Sequence, residues 1–270
     1  MMNDELKAGR LSFITHHSAF IISVMALRKR QSLIHTLFEE EARAGGFARV
    51  AGLDEVGRGA LAGPVVAAAV ILDPSAPLPE GLDDSKKLTA LQRERISEEL
   101  RHTAVCHAYG LVGPEEIDRT NILVATRRAM LQALEGLQPC ADFLLIDAIQ
   151  LREAALPQKA IIRGDSVSAS IAAASVLAKT YRDALMREYD SVYPHYGFAR
   201  HVGYGTREHW AALRAHGCCP IHRRSFRGVI PEEEETEAEA LAESPCGEEV
   251  EETAEGRHAE GGRPEGSEES

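Results

Sequence analysis

The chain has 270 residues, with 30 Lys and Arg against 42 Asp and Glu, a formal net charge of −12 and 44% hydrophobic residues. The acidity is local: residues 231–270 hold 16 Glu and 2 Arg, so residues 1–230 are left at about +2. This excludes an acidic globular body as well as a uniformly basic one, and nucleic-acid binding would need Lys and Arg gathered on one face.

Near the start, residues 13–25 are apolar but short and interrupted by His16 and His17, which fits neither a membrane span nor a signal peptide. Met25 is an alternative start. Leu33, Ile34, Leu37 and Phe38 share one helical stripe ending at Gly45-Gly46, which predicts a short docking helix within an extension of residues 1–47. The domain proper is expected over 48–230. Residues 49–56 read as a first strand and 65–72, a Val/Ala/Ile/Leu run, as a strand buried on both faces. Gly63-Pro64 separates them. Thr89 and Gln92 form a capping-box pattern that opens a helix to about residue 101. A third strand follows at 105–112, then one long helix over 114–137 with Ile117, Leu123, Met130 and Leu134 inward. Residues 143–147 are a short apolar strand ending in Asp147, and 160–165 repeat that arrangement with Asp165. A helical stretch runs from Ser166 to about Tyr189, and a last helix lies between Thr206 as N-cap and Gly217 as stop. Strands alternating with helices, with carboxylates at strand ends, describe an α/β domain.

The five cysteines, Cys106, Cys140, Cys218, Cys219 and Cys246, lack paired zinc spacing and imply reduced thiols in a cytoplasmic protein. The tail from Pro231 onward is Glu, Ala, Gly and Ser with few large apolar residues; disorder is expected, and its charge would compete with DNA for a basic face.

The run Asp54-Glu55-Val56-Gly57-Arg58-Gly59 sets two carboxylates against a glycine-rich turn, suiting metal ligation beside a cradle for phosphate or sugar. If the strands are neighbours, Asp54, Glu55, Asp147 and Asp165 converge at one rim, where they stay ionised only if cations offset them. All-oxygen donors favour Mg²⁺ or Mn²⁺, and two such ions about 4 Å apart serve in-line displacement at phosphorus. Phosphodiester hydrolysis is the reaction class this implies. Two reservations are geometric. Consecutive residues of a strand face opposite sides, so Asp54 and Glu55 can share metal only where the strand ends or bulges. Asp165, taken alone, also suits a helix cap.

Asp54-Glu55-Val-Gly57-Arg58-Gly59-Ala-Leu-Ala-Gly63-Pro64, Asp84-Ser85-Lys86-Lys87-Leu88, Leu-Ile-Asp147-Ala, Gly164-Asp165-Ser166, Ser170-Ile-Ala-Ala-Ala-Ser175 and Gly203-Tyr204-Gly205-Thr206 together resemble bacterial ribonuclease HII, the type 2 ribonuclease H. The likeness spans about residues 48–230. It implies an RNase H-like fold, a mixed central sheet flanked by helices, with a helical C-terminal extension. The implied substrates are RNA–DNA hybrids and ribonucleotides embedded in duplex DNA, cut 5′ to the ribonucleotide to leave 3′-hydroxyl and 5′-phosphate ends. Asp54, Glu55, Asp147 and Asp165 match the residues holding two Mn²⁺ or Mg²⁺ ions. Gly57, Arg58 and Gly59 match the turn that reads the 2′-hydroxyl, and Tyr204 the tyrosine that stacks on the next sugar. Val202 stands where many relatives carry Lys, which removes one backbone-phosphate contact. A monomer is expected; a sliding clamp is a candidate partner, although the tail holds no motif for it.

Ser85, Lys86 and Lys179 are further candidates for substrate contact. Lys86 and Lys87 could grip phosphates, and one of the two is expected to; Arg127, Arg128, Arg182, Arg223 and Arg224 are possible phosphate contacts whose simpler reading is solvated surface. His102, His107, His195, His201, His209 and His222 lack metal-ligand spacing and read as structural or surface residues, His222 as a packing or hydrogen-bonding one. The Ala172-Ala173-Ala174 run suits close helix–sheet contact. Two other classes compete. A dinucleotide-binding protein would use Gly57 to Gly63 as its fingerprint, but Pro64 and the strand after it stand where a helix is required. A catalytically idle nucleic-acid binder would not need all four carboxylates.

Overall fold

The computed structural model describes residues 34–230. The expected start, Leu33 and the acidic tail lie outside the described residues. Five strands form one mixed sheet: β1 (Val50–Val56), β2 (Val65–Ile71), β3 (Cys106–Val112), β4 (Phe143–Asp147) and β5 (Gln158–Ile161). Their order is β3-β2-β1-β4-β5. The first three are antiparallel neighbours, while β1, β4 and β5 run parallel. The chain thus turns back tightly after β1 but must cross over to reach β4, and the long crossover supplies the helices of one layer.

β2 is buried along its whole length, as its unbroken apolar run requires. Ala67 and Ala69 face one layer with Met130 and Ala133; Ala68 and Val70 face the other with Ile96 and Val176. Among the described residues, seven helices flank the sheet or extend beyond it: α1 (Leu37–Ala44), α2 (Ala90–Thr103), α3 (Pro114–Arg119), α4 (Ile122–Glu135), α5 (Ala169–Val192), α6 (Phe198–His201) and α7 (Arg207–His216). α2 starts with the capping box read from Thr89 and Gln92, and Thr206 caps α7 before Gly217 ends it. After α5, residues from Leu61 to Val229 close a separate cluster around Phe198, Tyr196 and Met186, the helical C-terminal part. No helix among the described residues is long and apolar enough to cross a membrane.

The structure departs from the predicted elements in three places. The single helix over 114–137 is two, because Asn121 stops α3 and caps α4 by accepting from Leu123 and Val124 N–H groups. That restart turns Leu123 outward, 40% exposed, while Ile117 and Met130 are buried as expected. The strand expected over 160–165 is β5, which ends at Ile161, and the helix expected from Ser166 begins at Ala169 under a Ser168 cap, so Asp165 sits between them in a 3₁₀ turn, Gly164–Ser166. Leu37 is 61% exposed and Ile34 precedes α1; Phe38 and Ala42 make its contacts, packing with Val50, Leu145 and Ile171.

α5 lies across β1 at very short range. A Cβ on Gly52 would stand 2.2 Å from the Ser170 carbonyl carbon and 2.3 Å from its oxygen, so only glycine lets helix and strand meet there. The alanine run Ala172-Ala173-Ala174, fully buried, continues that close face.

Candidate active site

Asp54 and Asp147 are brought together by register. Parallel pairing of β1 with β4 runs to Leu53 opposite Ile146, so the next residues, Asp54 and Asp147, leave adjacent strands at the same level. Asp165 arrives from the turn after β5, where Gly164 N–H donates to Asp147 Oδ1 at 2.7 Å. Glu55 has no bulge to reorient it, since β1 keeps regular pairing with β2 through Val56. β1 therefore neither ends nor bulges at Asp54 and Glu55; β4 stops at Asp147, whose carboxyl is within electrostatic reach of Glu55.

The carboxylates repel one another in a poorly solvated place. Burial raises Asp54 well above the ordinary carboxylate range, and the Glu55 and Asp147 charges push it further, against a hydrogen bond from Ser175. Burial also raises Glu55, opposed by the Arg58 guanidinium, which donates to Glu55 Oε1 at 3.2 Å. Asp147 is raised by burial and by Asp165, despite the Gly164 N–H. Burial works against the Lys86 ammonium, yet its 2.9 Å bond to Asp165 Oδ2 and the nearby acidic groups hold it above the usual lysine range.

Glu55 Oε2 is buried without a hydrogen-bond partner. An orphaned carboxylate oxygen among three carboxyls that resist ionisation, with no Cys or His donor, is a donor set suited to hard divalent cations. No three acidic, His or Cys side chains among the described residues are already closed into a metal-holding arrangement. The set is gathered, and Lys86 and Arg58 carry the neutralising charge.

One cleft is lined by Asp54, Glu55, Val56, Ser85, Lys86, Ser175, Lys179 and Tyr204. Six of the residues singled out from sequence therefore face a common space. Ser85 is buried and its hydroxyl meets Ser175 Oγ at 2.9 Å. Lys179 lines the cleft with its ammonium tied to Asp183 Oδ1 at 2.7 Å. Ser175 was missed as a site residue although its motif was read, because a serine in an alanine-rich helix looks like packing.

The turn after β1 rests on two arginines. Arg182 and Arg223 were read as surface; both are fully buried. Arg182 donates to the carbonyls of Pro64 at 3.0 Å, Ala62 at 3.0 Å and Val202 at 2.8 Å, and Arg223 to those of Gly63 at 3.0 Å and Arg58 at 2.9 Å. Backbone carbonyls in a loop leave no trace in sequence pattern, which is why this pairing was not legible. Gly57, at φ +92°, is required here: a Cβ would stand 2.3 Å from Arg182 Nε. Gly59 differs, since a Cβ there would meet nothing within 4 Å. The fold leaves room at Gly59 on the open side of the turn.

Tyr204 is tied to the same arginine, with Arg182 Cζ 5.7 Å from its ring centroid. Behind it, His209 Nδ1 donates to Tyr204 O at 3.0 Å, so His209 Nε2 is an acceptor and takes the proton of His222 Nε2 at 3.0 Å. His222 Nδ1 in turn accepts from Cys219 N–H at 2.9 Å. His222 is thus the hydrogen-bonding residue expected, and His209 its partner. Val202, preceding Gly203-Tyr204, adopts φ +45° and gives its carbonyl to Arg182.

A mixed five-stranded sheet in this order, flanked by helices, is the RNase H-like fold. The ribonuclease HII family model matches residues 51–229. The chain is 55% identical over 198 residues to ribonuclease HII of Desulfitobacterium hafniense, covering 73% of this chain and 76% of that protein. It is 54% identical over 192 residues to ribonuclease HII of Geobacillus kaustophilus, covering 71% and 73%. Among solved structures, ribonuclease H2 of Pyrococcus horikoshii superposes with a TM-score of 0.57 at 25% identity, covering 73% of this chain and all of the other. The chain belongs to the bacterial ribonuclease HII family, metal-dependent endonucleases with ribonuclease H activity on RNA–DNA hybrids.

Proposed function

We propose that this endonuclease cuts the RNA strand of hybrids and also cuts 5′ to single ribonucleotides in duplex DNA, leaving 3′-hydroxyl and 5′-phosphate ends. The observation that carries the reading is the meeting of Asp54, Asp147 and Asp165 at one rim with Glu55 beside them, Asp54 and Glu55 also lining a cleft with Tyr204 and Lys86. The four carboxylates would hold two Mn²⁺ or Mg²⁺ ions, which when bound would activate the attacking water and stabilise the leaving oxygen.

The chain's own groups supply the rest. Gly59 leaves room for a sugar to approach the backbone of the turn, and the carbonyls that Arg182 and Arg223 hold keep that backbone in one shape. A fixed backbone of this kind can test for the 2′-hydroxyl that separates RNA from DNA. Tyr204, 37% exposed, offers a ring face for the following sugar. Lys86, 78% exposed along its side chain, can leave Asp165 for a phosphate, with Ser85 and Lys179 beside it; Arg58 can likewise leave Glu55.

A labelled duplex bearing one ribonucleotide tests this. Cleavage at its 5′ side is expected in Mn²⁺ or Mg²⁺, abolished by EDTA and by Asp54→Asn. Full cutting by the Asp54→Asn protein, or equal cutting of an all-DNA duplex, refutes the reading.

A further inference from the structure

The first turn of α1 holds a carboxylate with no place in the site described above. Glu39 is 1% exposed. Its Oε1 accepts from Ser168 Oγ at 2.7 Å, from Ser170 N–H at 2.8 Å and from Ser170 Oγ, while Oε2 is buried with no hydrogen-bond partner. All three donors belong to the start of α5, where N–H groups lack intrahelical acceptors and the helix end is positive. Residue His35 adds a second tie: its N–H donates to Val167 O at 3.1 Å and its carbonyl accepts from Ala169 N–H at 3.0 Å.

Between those ties runs the segment that carries Asp165. Val167 N–H and Ser168 N–H both return to Gly164 O, at 3.0 and 2.8 Å, so the turn around Asp165 is wound onto residues that α1 and its lead-in grip. Ser170 is also the residue packed against Gly52, two positions before Asp54 on β1. An aspartate just ahead of a long helix would ordinarily be drawn into capping it. Here Ser168 and Glu39 satisfy that helix end.

We propose that Glu39 is a positioning residue for the metal site: by taking over the start of α5 it frees the Asp165 carboxylate to face Asp147 and fixes the turn that presents it. The inference rests on Asp165 being a metal ligand, as proposed above. It also places the segment ahead of residue 48 inside the working enzyme.

Mn²⁺ binding to the full chain without substrate, read by electron paramagnetic resonance of the free ion, tests it beside melting curves and hydrogen exchange. Glu39→Ala is expected to weaken Mn²⁺ binding about tenfold, the lower end of what losing a supporting partner of a metal ligand costs. Exchange should quicken at the amides of residues 164–170. Glu39→Gln, which keeps an acceptor oxygen, should recover most of the affinity. If Glu39→Ala does not fold, Ser170→Ala, which removes one of the three donors, should still weaken binding by about threefold. A Glu39→Ala protein that melts earlier but binds Mn²⁺ as the wild type does would overturn the role of Glu39. Asp165→Asn separates the two claims: wild-type Mn²⁺ affinity in that variant overturns the ligand assignment and this inference with it, whereas weakened binding there with wild-type binding in both Glu39→Ala and Ser170→Ala overturns this inference alone.

Discussion

Acidification should unlock the C-terminal part of this protein through one pair of histidines. His209 and His222 are buried, and each is held as the neutral ring by burial, with a pKa lowered from 6.5 to about 4. The hydrogen-bond chain allows no extra proton, since protonating His209 Nε2 would set N–H against the N–H of His222. In the unfolded chain both rings titrate near 6.5. Between pH 6.5 and 4 the unfolded state therefore binds more protons, and stability falls as the pH falls. Above 6.5 the contribution is complete; below 4 no more is lost. Lowering from 6.5 to about 4 corresponds to about 3 kcal/mol at most for a single group. The pair shares one bond and titrates as a unit, so about 3 kcal/mol for the first proton is the working figure. Asp54, Glu55 and Asp147, being raised, act in the opposite direction over part of this range, so the comparison must be with a variant that keeps them. Urea unfolding at intervals between pH 7 and 4.5 should show a downward slope in the wild type that is much reduced in a His209→Gln, His222→Asn double variant. Equal slopes in the two proteins would show that the buried pair does not govern acid stability.

Two substitutions test the geometry of α5 and of the Tyr204 loop. Gly52→Ala puts a methyl group 2.2 Å from the Ser170 carbonyl carbon; overpacking against backbone should cost about 3 kcal/mol and lower the melting temperature by roughly 6–12 °C. An unchanged melting temperature contradicts the close approach. Val202→Lys removes a β-branched side chain from the left-handed region and adds a positive charge beside Gly203-Tyr204. Duplex binding by anisotropy should tighten, with the slope of log affinity against log salt steeper by about one unit; an unchanged slope means that residue 202 does not face phosphate.

Asp147 was legible because it ends an apolar strand, following Phe143 to Ile146 directly, whereas Asp54 and Glu55 lie within β1 and Asp165 in a turn beyond β5, so they were read from their motifs. Turn and cap chemistry was equally readable at Thr89 and Thr206. Asn121 carried the same kind of signal, but continuous apolar periodicity on either side hid it. What escaped was long-range and polar. Glu39 looks like any acidic residue in a first helical turn, and its partners are 129 and 131 positions away. Arg182 and Arg223 bind carbonyls, which every residue has, so nothing in side-chain pattern distinguishes them from solvated arginines.

The 24 residues of α5 also act as a ruler. Ser170 touches the strand bearing Asp54, Ser175 meets the Asp54 carboxyl, and Arg182 carries both the Gly57 turn and Tyr204. From Ser175 to Arg182 is about two helical turns, on the order of 10 Å along the axis. The spacing between the groups that would hydrolyse the strand and those that would recognise its sugar is thus stored in a rigid rod. Adding or deleting one residue in that interval would rotate one end by about 100° against the other. Length variation should therefore be tolerated in the surrounding loops and refused here, and if the proposed function holds, the offset between recognised sugar and severed bond would be set by helix pitch.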